Sequence, residues 1–191
     1  AAHVFGTNLF GVSDDQRRRA KVVNFGIMYG AGPFRMSNEL EISRGEAAEL
    51  ISDYFNTYPG IRNYLDETIE FARENKFVQT LFGRKRPVPD IDASNRMSRE
   101  GAERIATNMP IQGTAADIIK LAMIQVHKRI KAEGLKSKMI LQVHDELVFE
   151  VPDDEIETLT LLVRETMEHA VDLDIPLTVD IGIGDNWLEA H

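Results

Sequence analysis

The sequence has 191 residues, 43% of them hydrophobic and 28% charged, the proportions of a soluble globular chain with room for one sizeable core or a lobed domain. It contains no cysteine, so a disulfide framework, a thiolate metal site and a cysteine nucleophile are all excluded, which suits a reducing cytoplasm. The formal net charge of −9 is unevenly spread: residues 1–138 hold 21 basic and 17 acidic side chains, whereas residues 139–191 hold one and 14.

Phosphate contacts need Lys and Arg, so a nucleic-acid surface belongs to the first part; the plainer reading of the asymmetry is a solvated acidic tail region. No stretch approaches the roughly 20 apolar residues that cross a bilayer, and no membrane partner is expected. The opening Ala1-Ala2-His3-Val4 has neither a basic leader nor an initiator Met and reads as a cut through a longer protein.

Asp14 and Asp15 precede a proline-free run that closes at Gly30 and predicts a helix over 16–29. Ser43 with Glu46 three residues on is a capping-box pattern for a helix to about Tyr58. Pro59 opens the next, with Ile61, Leu65, Ile69 and Ala72 on one face to about Lys76. A short hairpin around Gly83 ends at Pro87 and Pro89, and a basic helix follows over 95–108, with Pro110 expected to interrupt it. From Ile111 the positions Ala115, Ile118, Ala122, Val126 and Ile130 recur at helical spacing toward Gly134. Two β-rich runs, 139–143 and 147–151, flank His144-Asp145-Glu146 as a tight hairpin with the polar trio at its tip. A helix over 153–171 and an alternating strand over 177–183 complete an antiparallel sheet backed by helices, an α+β fold.

Arg17, Lys21, Phe25 and Tyr29 are spaced by four and form one helix stripe, two cations followed by two aromatics. A nucleoside triphosphate is anionic at one end and a flat base at the other. Cations in the N-terminal half of a helix, where the macrodipole also favours anions, suit its phosphates, and Phe25 suits its sugar or base. Spacing alone equally allows a solvated basic start and a core-facing aromatic pair.

The run Arg17-Arg18-Arg19-Ala20-Lys21-Val22-Val23-Asn24-Phe25-Gly26-Ile27-Met28-Tyr29-Gly30 resembles the fingers helix of family A DNA polymerases. The resemblance implies that Arg17 and Lys21 contact the incoming deoxynucleoside triphosphate, Lys21 with a catalytic share. It also implies that Phe25 packs on that nucleotide and that Tyr29 lies near the templating base.

Asp145 and Glu146 lie between two strongly apolar strands, which would present carboxylates at a rigid edge; hard oxygen donors there suit magnesium, although an acidic turn is ordinarily just solvated. Gln142-Val143-His144-Asp145-Glu146-Leu147 resembles the palm hairpin of the same family. The resemblance implies Asp145 as the metal ligand, Glu146 close by in a lesser catalytic role, and His144 near the primer terminus on DNA, with two Mg2+ ions in the complete enzyme.

Arg104, Asn108 and Gln112 are also four apart, in a segment, Arg104 to Asp117, that again resembles the family and implies contacts to primer-template DNA. Such donors can test base-pair shape through minor-groove acceptors without reading sequence; helix caps and polar surface are the plain alternative. Arg84, Lys85 and Arg86 suit backbone phosphates or simply a charged turn.

The resemblance covers essentially the whole chain and implies a helical fingers subdomain, mainly 1–93, plus an antiparallel palm sheet backed by helices, mainly 94–191: an incomplete polymerase right hand. It also implies an omission, because the family's other catalytic aspartate belongs to an earlier palm strand and residues 1–13 hold no acidic residue. The thumb and the glutamate that screens ribose are absent with it, so the 191 residues alone are expected to be inactive without the N-terminal part of the polymerase. A noncatalytic nucleotide- or DNA-binding module remains the alternative, and a helical interaction domain with coincidental motifs is made remote by the motif order.

Overall fold

A computed structural model describes residues 8–190, which fall into two compact units divided between Ile111 and Gln112. The described part of the first unit opens with a 3-10 turn, Leu9–Gly11, and helix α1, Asp14–Met28. The N-cap is Ser13. Its hydroxyl accepts from Gln16 N at 3.2 Å while Gln16 Oε1 accepts from Ser13 N at 3.0 Å, so Asp14 and Asp15 sit inside the first turn, where carboxylates oppose the positive helix end. α1 ends against Gly30, whose φ of +73° suits a residue without Cβ.

Helix α2, Pro33–Leu40, was not expected: Gly32-Pro33 reads as a breaker, yet proline is favoured in the first turn of a helix, where its missing N–H costs nothing. Helix α3, Arg44–Thr57, carries the expected box, with Ser43 Oγ accepting from Glu46 N at 3.2 Å and Glu46 accepting from Ser43 N at 2.9 Å. Those Ser43 bonds hold the Glu46 carboxyl below its ordinary pKa. Helix α4, Pro59–Asn75, follows. Val23, Ile27, Ala31, Met36, Leu40, Ala47 and Tyr54 form one core.

A second core in the same unit takes Ala72 from α4, Val78 from strand β1 (Phe77–Gln79), Val88 and Ile91. Strand β2, Lys85–Pro87, pairs antiparallel with β1 in the register Val78↔Arg86. Ala102, Ala106 and Met109, from helix α5 (Arg96–Ala132), complete this core. Arg73 bridges to Glu103 at 2.7 Å, and Lys76 pairs with Asp92.

α5 runs unbroken from Arg96 to Ala132, 37 residues, with Pro110 inside it. The expected interruption does not occur. A helix-interior proline costs about 3 kcal/mol in lost hydrogen bonding and crowding. Here the same helix buries Ala102, Ala106 and Met109 before the proline and Ala122, Val126 and Ile130 after it, and tertiary burial outweighs propensity. Its start is fixed by Asn95, whose Oδ1 accepts from Met97 N at 2.9 Å and Ser98 N at 3.2 Å.

In the second unit, strands β3 (Lys138–Val143) and β4 (Glu146–Glu150) form an antiparallel hairpin, with a register shift between Met139 and Leu141. Met139 and Phe149 pack against a core of Val126, Ile130, Leu159, Leu162 and Val163, while Ile140 and Leu141 beside the irregularity are both exposed. The helix expected over 153–171 is a 3-10 turn, Asp153–Glu155, followed by α6, Ile156–Glu168. Glu155 clips this turn to the start of β3, accepting from Lys136 N and Ser137 N at 2.8 Å each and from Ser137 Oγ at 2.6 Å. These bonds hold its carboxyl below the ordinary range.

The strand expected over 177–183 is not formed, and the sheet has two strands. Side chains of α6 take the backbone groups that a ladder would use: Arg164 Nη1 donates to Val179 O at 2.8 Å, and Val179 N donates to Glu168 at 3.1 Å. A short helix α7, Trp187–Ala190, ends the described chain. Among the described residues no helix is long and apolar enough to cross a membrane. The architecture is therefore mainly helical with small antiparallel sheets.

Candidate nucleotide and nucleic-acid interface

α1 buries Val23 and Ile27, one turn apart, and this fixes which side of the helix meets solvent. Arg17, Lys21 and Phe25 are exposed and Tyr29 is half-buried. The stripe read from the sequence is thus intact. Phe25 leaves 53% of its surface in water and stacks on Tyr29, with ring centres 6.2 Å apart and planes inclined by 23°. A half-bare aromatic on a rigid helix is an available platform for another flat group.

The four basic side chains of the helix are not equivalent. Arg18 pairs with Asp15 at 2.6 Å and Arg19 donates to Leu40 O at 3.1 Å. Among the described residues, the side chains of Arg17 and Lys21 have neither an ion pair nor a hydrogen bond. Those two remain available for an anion. Close packing underlies the stripe: a Cβ on Gly26 would come within 2.9 Å of Met36 Cε, and one on Gly30 within 3.2 Å of Arg104 Cγ. Met36 carried no sequence signal beyond its apolar character.

The hairpin tip differs in detail from the sequence expectation. Val143 pairs with Glu146, so only His144 and Asp145 form the turn and Glu146 belongs to β4, half-buried. His144 has φ +52° and its carbonyl accepts from the Gln142 amide. Asp145 is exposed, its carboxylate open to solvent. Among the described residues no group of three or more His, Cys, Asp or Glu side chains is arranged to hold a metal ion.

Along α5, Arg104 and Gln112 are exposed, and Asn108 between them is half-buried. The Oδ1 of Asn108 is buried and has no hydrogen-bond partner among the described residues, an uncommon state for a native polar atom. Helix spacing drew attention to Asn108, but its burial was not legible in the sequence. The turn Arg84-Lys85-Arg86 is exposed, with Lys85 Nζ lying 4.3 Å from the centre of the Phe77 ring. One further pair was missed: the Tyr54 hydroxyl donates to Asn24 Oδ1 at 2.5 Å, joining α3 to the residue beside Phe25. Burial raises the Tyr54 phenol pKa, with the neighbouring Tyr58 adding to the shift.

Known proteins resemble the chain over nearly its whole length. The family model for DNA polymerase family A matches residues 1–189. DNA polymerase I of Caldicellulosiruptor bescii is 52% identical over 189 residues, covering 99% of this chain and 22% of that protein. DNA polymerase I of Deinococcus radiodurans is 50% identical over 189 residues, with 99% of this chain and 20% of the relative covered. The chain therefore spans about a fifth of the length of these relatives. Among solved structures, the POL domain of Pol1 from M. smegmatis, in complex with DNA primer-template and dNTP, is similar with a TM-score of 0.95 and 44% identity, covering 99% of this chain and 33% of that one. By its motifs, its fold and these matches, the chain belongs to DNA polymerase family A.

Proposed function

We propose that these residues are the nucleotide-binding helix and part of the catalytic palm of a template-directed DNA polymerase. The enzyme adds deoxynucleotides to a primer 3′-hydroxyl and releases pyrophosphate, working within a longer chain as in its relatives. The observation that carries this reading is the α1 stripe: two cations without partners among the described residues, followed by a half-bare aromatic, in a family A chain. The dNTP and primer-template named for the similar M. smegmatis domain support the same ligands here. In role, residues 1–93 are mainly fingers and 94–191 mainly palm, a division distinct from the packing division at Ile111.

Arg17 and Lys21 bind the triphosphate, their charge reinforced by the N-terminal half of α1. Phe25 packs on the incoming nucleotide, and Tyr29, stacked behind it, backs the templating position. Arg104, Asn108 and Gln112 donate N–H bonds to the minor-groove acceptors of the new duplex, and a bound water is the donor left to the buried Asn108 oxygen. His144 sits against the primer end. Asp145 would hold magnesium, with Glu146 beside it. The donors fit, since magnesium uses one or two carboxylates and completes its shell with water and substrate phosphates. When bound, a pair of such ions activates the attacking hydroxyl and neutralises the leaving group.

Holding a pair of divalent cations would need more negative charge than Asp145 and its neighbour supply. The 191-residue chain alone is therefore expected to give no primer extension with magnesium, while the full-length protein extends. A full-length protein that binds primer-template without extending it would be a noncatalytic module. Robust extension by the short chain would overturn the need for a second carboxylate from outside it.

A further inference from the structure

We infer that Tyr54 is a positioning residue for the incoming nucleotide, acting through its hydrogen bond to Asn24 to fix the rotation of α1 about its own axis. The inference rests on the nucleotide-binding role proposed for α1. Two apolar residues, Val23 and Ile27, bury α1 in the first core, and apolar contacts resist separation more than they resist small rotations, because they have no preferred direction. A hydrogen bond does have one. Asn24 precedes Phe25 and so lies about 100° from it around the helix, on the border between the buried residues and the exposed stripe. A tie at that border sets where Lys21 and Phe25 point.

Tyr54 is suited to hold such a tie. It is 7% exposed, belongs to the core that contains Val23 and Ile27, and is walled by Phe55 at 5.9 Å and Tyr58 at 5.1 Å between ring centres. Its ring is therefore fixed, and its hydroxyl reaches Asn24 Oδ1 at 2.5 Å. Without that bond Asn24, which is exposed, can satisfy its amide with water, so α1 loses a directional restraint and little else.

The test uses the full-length polymerase with Tyr54→Phe, which removes one oxygen and keeps the buried ring, Asn24→Ala, and the double variant. Tyr54→Phe is expected to raise KM for the incoming deoxynucleotide by about threefold to tenfold. Primer-template affinity should stay within about twofold, and thermal stability should be nearly unchanged. Asn24→Ala should do the same, and the double variant no more than either single one. Additive effects would mean that Asn24 acts on substrate directly and would overturn the inference. A fall in stability with unchanged KM would overturn it too, leaving Tyr54 a core residue only. Lys21→Ala serves as the reference: a raised KM there with none for Tyr54→Phe refutes this inference alone, whereas no change in either also refutes the nucleotide-binding reading of α1.

Discussion

Asp145→Ala in the full-length polymerase is expected to lower the rate of nucleotide addition by about three orders of magnitude or more, with primer-template affinity within about threefold. The magnitude follows from several kcal/mol of charge stabilisation by a catalytic metal, at 1.4 kcal/mol per factor of ten. The location makes the experiment clean. Asp145 is exposed at a two-residue turn, and among the described residues its carboxylate has neither an ion pair nor a hydrogen bond, so its removal deprives the fold of nothing. Surface substitutions of that kind usually change stability by no more than about 0.5 kcal/mol. Single-turnover extension beside a thermal melt checks both halves of the expectation. Unaltered extension would remove Asp145 from the metal site; a lost fold would show that the turn depends on its carboxylate.

Lys21→Ala is expected to lower kcat/KM for the incoming nucleotide by roughly tenfold to a hundredfold, the worth of a charge-assisted bond of about 1.5–3 kcal/mol. Binding of primer-template should change far less, because in the proposed role the ammonium faces the triphosphate rather than the duplex. The comparison within α1 sharpens this. Arg18, one turn-side away and already paired with Asp15, should tolerate alanine with little kinetic effect, whereas Lys21 should not. Nucleotide titrations and primer-template binding on the same preparations give the two numbers, and equal losses in both would sink the assigned role.

The sequence showed local arrangements more fully than long-range ones. A stripe at four-residue spacing needs only a helix to assemble, and α1 is capped by its own flanking residues, so Arg17, Lys21 and Phe25 were readable directly. The Ser43–Glu46 box was legible for the same reason: all its atoms lie within four residues. Long-range outcomes were not. Alternation over 177–183 is a genuine strand signal, but Arg164 and Glu168 claim the backbone of Val179, and nothing local announces that competition. Pro110 is a genuine helix breaker, overruled by burial on both sides of it. Tyr54 carried no local signal, since its partner lies 30 residues away.

The left-handed turn residue His144 carries a cost that its position does not oblige it to carry. A side chain at φ +52° raises the energy of the folded hairpin by about 1–2 kcal/mol relative to glycine, partly offset by glycine's greater freedom when unfolded. His144→Gly should therefore stabilise the hairpin by about 0.5–1 kcal/mol, measurable as a raised denaturation midpoint, while primer extension falls. If His144 meets the primer end as proposed, stability and catalysis pull in opposite directions at this one residue. Libraries of this polymerase screened for heat resistance alone should drift to glycine at 144, and the same libraries screened for extension should restore the imidazole.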